Sequence, residues 1–135
     1  MGGPATGQIT GLYAGLSALV LIALSVNVIR MRARERVGIG DADRPMLRRA
    51  IRVHGNFIEY APLALILVYL VEAGGFAAWK VHALGAALVV GRIAHAFGLW
   101  ASEAGSPGRA LGMALTFTVL AAAALMLVIS FFSAR

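Results

Sequence analysis

The chain has 135 residues, of which 60% are hydrophobic and only 13% charged, with a mean hydropathy of +0.83. Soluble domains carry about 45–50% apolar and about 25% charged residues, so too few charges remain to cover a water-exposed surface, and disorder is excluded on the same ground. Cysteine is absent, which removes disulfides, iron–sulfur clusters, thiolate metal sites and a cysteine nucleophile.

The first apolar stretch runs from about Ile9 to Ile29 without a charge, long enough to cross a bilayer that takes about 20 helical residues. It lacks the basic flank and clear cleavage site of a secretory signal and reads as a retained span. Met1–Thr6 formally fits a myristoylation pattern but reads better as a tail.

A basic segment follows. Eight of the twelve Lys and Arg residues lie between Arg30 and Arg52, against Glu35, Asp41 and Asp43, so the net charge of +6 is concentrated there. A basic cluster beside an apolar span points to a cytoplasmic loop and not to nucleic acid. Val37–Pro45 is rich in turn formers, with Pro45 suited to the first helical position and Asp43 close to a capping one. Asp41 and Asp43 lack the remaining ligands of a calcium loop.

Three more spans are expected at about residues 46–72, 76–100 and 108–132, after a first at about 9–30. Ser106 and Pro107 suit the N-cap and first turn of the last. The fold class is therefore an all-α integral membrane protein, a four-transmembrane-helix bundle in a single domain over residues 1–135. The arginines place the Met31–Met46 loop and residues 101–108 on the cytoplasmic side, with both termini and the Glu72–Trp79 connection opposite. Trp100 and Trp79 then sit at the two interfaces, while Lys80 and Arg135 oppose the assignment.

On the second span, Arg48, Arg52, Gly55, Asn56 and Glu59 fall within an arc of about 100°. Glu59 lies about 20 Å along the helix from Glu72, near mid-membrane, where a bare charge costs at least about 2.5–3.5 kcal/mol. The stripe must face protein or a wet cavity. Arg92 and His95 on the third span, Arg30 and Asn27 at the end of the first, and Arg109 at the start of the fourth fall at the same level. Glu59 has a purely structural use, pairing with Arg52 or Arg92. Yet Arg30, Arg48, Arg52, Arg92 and Arg109 outnumber it, so the pocket is expected to stay cationic and to take an anionic zwitterion. Guanidinium binds carboxylates in a two-pronged fashion, and a glutamate holds an ammonium.

The histidines read as packing residues at His54 and His82 and as site-facing at His95. Haem would need His54 and His95 as facing ligands and is not expected. No metal cluster is evident.

Arg52-Val53-His54-Gly55-Asn56-Phe57-Ile58-Glu59-Tyr60-Ala61-Pro62 resembles the Arg-x-His-x-Asn-x-x-Glu motif of the membrane-associated proteins of eicosanoid and glutathione metabolism, the MAPEG family. Gly91-Arg92-Ile93-Ala94-His95 is similar to the family's third-helix signature, and Pro107-Gly108-Arg109 to the turn that opens its fourth helix. Small bacterial members are the nearest in kind. The resemblance implies a homotrimer in a bacterial inner membrane, with glutathione as co-substrate held between subunits by Arg30, Arg52, Asn56, Glu59, Arg92 and His95. It makes Arg109 the catalytic residue beside the thiol. A lipophilic small molecule is the implied second substrate, through conjugation or reduction of lipid hydroperoxides. Gly55, Leu99, Ala110 and Met113 depart from residues common in eicosanoid-type members, so prostaglandin synthesis is not expected. A small multidrug-type transporter needs an acid in its first span, which Gly11–Val28 lacks; a noncatalytic interaction protein is the other alternative.

Overall fold

The computed structural model describes residues 6–101 and 105–133. Residues 1–5, 102–104 and 134–135, and with them the expected tail and Arg135, lie outside the described residues. Four helices follow one another: α1 (Gln8–Glu35), α2 (Pro45–Ala73), α3 (Ala78–Ala101) and α4 (Pro107–Ser133). Each is long and apolar enough to cross a membrane. α2 and α3 form the centre and touch both outer helices, whereas α1 and α4 do not meet. Ala64, Val68, Val71, Val81, Leu88, Val119 and Ala123 fill the core.

Helix α1 continues past the apolar limit at Arg30. Hydropathy marks where the hydrocarbon ends, whereas Met31–Glu35 are good helix formers, and Arg32 and Arg34 complement the negative end of the helix. The helix stops where Arg36 turns left-handed (φ 54°) and the Val37 amide donates to the Arg32 carbonyl at 3.0 Å. The Arg32 guanidinium then donates to the carbonyls of Gly38 (3.2 Å) and Gly40 (2.9 Å), folding the loop against the helix end.

Pro45 opens α2 as expected, but Asp43 does not cap it. Arg44 holds the cap position without a side-chain bond, because the Asp43 carboxylate is drawn to Arg48. At α4 the expected cap forms: Ser106 Oγ accepts from the Arg109 amide at 3.3 Å. The same hydroxyl donates to the Gly98 carbonyl at 2.8 Å, tying the start of α4 to α3.

Glu72, read from the sequence only as a span boundary, closes the opposite end of the bundle. Its carboxylate accepts from the amides of Gly7 (3.0 Å), Ile9 (3.0 Å) and Thr10 (2.8 Å), neutralising the positive end of α1. Replacing Glu72 with glutamine is expected to cost about 1–2 kcal/mol, since one acceptor and the charge are lost. Thermal unfolding in detergent would read this as a lower midpoint. Nearby, the Tyr13 hydroxyl meets His82 Nδ1 at 2.9 Å, and the ring lies where any side chain on Gly85 would collide with it. This contact sets the distance between α1 and α3.

The crossing of α3 and α4 is closer still. A Cβ on Gly98 would run into the backbone of Gly108 and Arg109, and one on Gly112 into the Gly91 carbonyl and the His95 backbone. Backbone meets backbone here, which brings Arg92 and His95 against the first turns of α4.

Candidate functional site

Arg92 is the largest fully buried side chain, 1% exposed, nine residues before the end of α3. Its guanidinium donates to Asn56 Oδ1 on α2 and to Thr116 Oγ1 on α4 at 3.3 Å, with Met113 Sδ at 3.9 Å. Thr116 can accept because its own proton goes to the Gly112 carbonyl at 2.8 Å. The rings of Phe57 and Tyr60 stand 5.9 and 5.8 Å from the guanidinium carbon, presenting negative π faces to the cation. His95 Nδ1 lies 3.4 Å from Arg92. A guanidinium has no acceptor, so that nitrogen is unprotonated and the ring is the Nε2–H tautomer.

No carboxylate lies within ion-pair distance of Arg92 among the described residues, and its buried Nε has no hydrogen-bond partner there. A buried cation held only by neutral groups is costly, and anions are its natural complement.

Two other arginines of the expected cationic excess are balanced by the chain's own acids. Arg52 pairs with Glu59 at 3.5 Å, and the two side chains are 59% and 48% exposed. Glu59 is fourteen residues from either end of α2, so this open pair sits at mid-helix. Both residues lie on α2, so the pair joins two turns of one helix and does not tie α2 to a neighbour. Arg48 is taken by the loop: its Nε donates to Asp41 at 2.6 Å and its terminal nitrogen to Asp43 at 2.8 Å. The Arg48 hydrogen bond, assisted by the Asp43 amide, holds the Asp41 carboxyl below its usual value. The Asp41 carboxylate therefore stays ionised through neutral pH, and its arm of the clasp weakens as pH falls below the ordinary carboxylate range. Counting Arg48 among the pocket's surplus cations is thus corrected. Loop geometry, which composition does not reveal, supplies it with two acids.

Arg109 is half-buried on the first turn of α4. Its backbone packs on Gly98, one turn beyond His95. Arg30 is exposed on α1, outside the buried cluster around Arg92. His54 and His95 serve different contacts: His54 Nε2 bonds Ser25 Oγ on α1 at 3.1 Å, whereas His95 faces Arg92. Two hollows flank the α2–α3 contact. One, about 300 Å³, is lined by Pro45, Arg48, Arg49, Arg52 and Leu99. The other, about 350 Å³ and nearly all apolar, runs between α1 and α3 past Leu24, Asn27, Val53, Phe97 and Trp100.

Residues 10–129 match the model of the MAPEG family. The chain belongs to that family. It is also similar to inner membrane protein YecN of Escherichia coli strain K12, at 43% identity over 91 residues that cover 67% of this chain and 70% of the relative. The YecN protein of Escherichia coli O6:H1 matches to the same extent. With four apolar helices, this MAPEG chain is a multi-pass membrane protein.

Three contributors to the MAPEG chain's buried cluster were missed in the sequence: Phe57, Tyr60 and Thr116. Thr116 carried a usable signal, a hydroxyl in an apolar span seven residues after Arg109, hence on nearly the same helix face. Tyr60 directly follows Glu59 and carried no signal of its own in the sequence. Only its contact with Arg92 gives it a part. Arg49, counted merely as one of the basic cluster, donates to the Trp100 carbonyl at 2.7 Å and pins the start of α2 to the end of α3.

Proposed function

We propose that this MAPEG protein binds glutathione and either conjugates it to lipophilic electrophiles or uses it to reduce lipid hydroperoxides. It would do so as a homotrimer in a bacterial inner membrane, with the Met31–Met46 loop cytoplasmic. The observation that carries the reading is Arg92, a fully buried cation with no carboxylate partner among the described residues. It shares Asn56 with a helix face that also presents Arg52 and Glu59. A tripeptide with two carboxylates and one ammonium complements that set: guanidiniums take the carboxylates, and Glu59 exchanges Arg52 for the ammonium.

A half-exposed ion pair at mid-helix is not compatible with a lipid neighbour, which supports its burial against a second copy of the chain. Arg109, at the positive end of α4, is suited to lowering the thiol pKa of glutathione from about 8.5 and so to raising the thiolate fraction. The apolar groove between α1 and α3 offers volume for the lipophilic partner, which would enter laterally from the bilayer. The protein needs no nucleophile of its own, in keeping with its lack of cysteine.

A thermal-shift titration of the purified protein with glutathione tests the binding. Linkage gives about 2.7 kcal/mol of added stability at a hundredfold excess over Kd, and no shift would refute the reading. Arg109→Ala should lower turnover about 100-fold or more while changing glutathione affinity much less, as for loss of a transition-state donor; unchanged turnover removes its assigned role. The Arg52–Glu59 pair favours one alternative, in which the polar face serves assembly alone. Glutathione would then leave stability unchanged, while Glu59→Gln would dissociate the oligomer.

A further inference from the structure

Arg48, Arg49 and Arg52 line one hollow, and one edge of the Arg48 guanidinium, its Nε and Nη2, is covered by carboxylates from a loop. Asp41 takes its Nε at 2.6 Å and Asp43 a terminal nitrogen at 2.8 Å. A guanidinium fork of this kind accepts a single carboxylate in two-pronged fashion, so the loop acids occupy the bonding positions that a ligand carboxylate would use. The clasp is exposed: Arg48 is 52% and Asp43 98% open to solvent. Ion pairs so placed are weak and exchange readily.

The backbone that delivers the acids is also strained. Ala42 and Asp43 both have positive φ, 46° and 55°, a region that aspartate tolerates but that is disfavoured for alanine. The rest of the loop is held independently of the clasp, since Gly38 and Gly40 are tied to Arg32.

We propose that Arg48 is a further anchoring residue for the anionic ligand of this hollow, and that Asp41 and Asp43 compete with a ligand carboxylate for it. The proposal rests on the glutathione reading for the identity of that ligand. The loop then acts as a built-in competitor. It sets the affinity threshold.

The test uses the full chain in detergent. In calorimetry, the doubly substituted Asp41→Asn/Asp43→Asn protein should bind glutathione roughly three- to tenfold more tightly than wild type, the range set by releasing one or two exposed pairs. Adding Arg48→Ala should abolish that gain. Unchanged or weaker affinity in the double variant overturns the proposal. A second readout does not need glutathione. Because the chain has no cysteine, Ala42→Cys carries a single nitroxide within the clasp. Inorganic pyrophosphate should make that nitroxide more mobile in the wild-type background and leave it unaltered when Arg48 is alanine. If no variant binds glutathione, the proposed function fails, and the pyrophosphate response decides the clasp alone: a nitroxide indifferent to pyrophosphate overturns it.

Discussion

Replacing Arg92 with methionine is expected to raise the stability of the ligand-free protein and to abolish the stabilisation by glutathione that the proposed function requires. The two effects have opposite signs because the same burial produces both. Arg92 is sealed between α2, α3 and α4 with neutral partners, two aromatic faces and an unpartnered Nε. Holding a desolvated cation there costs several kcal/mol, and apolar replacement of buried charge is commonly neutral or stabilising by about 1–4 kcal/mol. Loss of the donor to Asn56 offsets part of this, by about 1 kcal/mol, so a net gain of about 1–2 kcal/mol is expected. Glutathione binding should weaken at least about 100-fold, or about 2.7 kcal/mol. Unfolding midpoints with and without glutathione measure both quantities. A variant that is destabilised yet still responds to glutathione would show that Arg92 is a packing element.

The second large effect is expected at Gly112. An alanine there meets the Gly91 carbonyl and the backbone of His95, which cannot rotate aside. The helices must separate, at a cost of about 3 kcal/mol, the upper part of the overpacking range. Separation also carries Arg109 and Thr116 away from His95 and Arg92, and under the proposed catalysis a displacement near 1 Å costs about 100-fold in rate. Gly91→Ala on the same crossing should be milder, because the first atom met is the Leu115 Cβ at 2.9 Å and the Gly112 carbonyl is 3.2 Å away. Denaturation in detergent should rank Gly112→Ala below Gly91→Ala in stability, and both below wild type. An equal, near-zero cost would mean that the crossing is looser than the backbone contacts imply.

Much of the candidate site was legible along the chain, for specific reasons. Arg52, Asn56 and Glu59 stand at four- and three-residue steps, and polar groups at that spacing in an otherwise apolar helix have no solvent to explain them. Arg92 was conspicuous as a cation too deep to reach water. Glu72 was not legible as a cap, since its partners Gly7, Ile9 and Thr10 are more than sixty residues away and only the packing of α1 on α2 joins them. Asp41 and Asp43 were read for turn chemistry, because nothing local tells a capping aspartate from one that reaches forward to Arg48. Thr116 needed the α3–α4 crossing before its hydroxyl could be assigned to Arg92.

Hydropathy and helical periodicity belong to a single line of residues, and they were enough to determine that the chain spans a membrane four times and that polar groups gather on one face of α2. Which charges cancel is a property of distances through space, where an ångström decides whether a hydrogen bond exists. Only the tertiary structure could therefore decide that Arg52 and Arg48 are balanced by the chain's own carboxylates while Arg92 is not. It was likewise glycine-to-backbone contact between α3 and α4, a matter of excluded volume between distant segments, that set Arg92, His95 and Thr116 at one level.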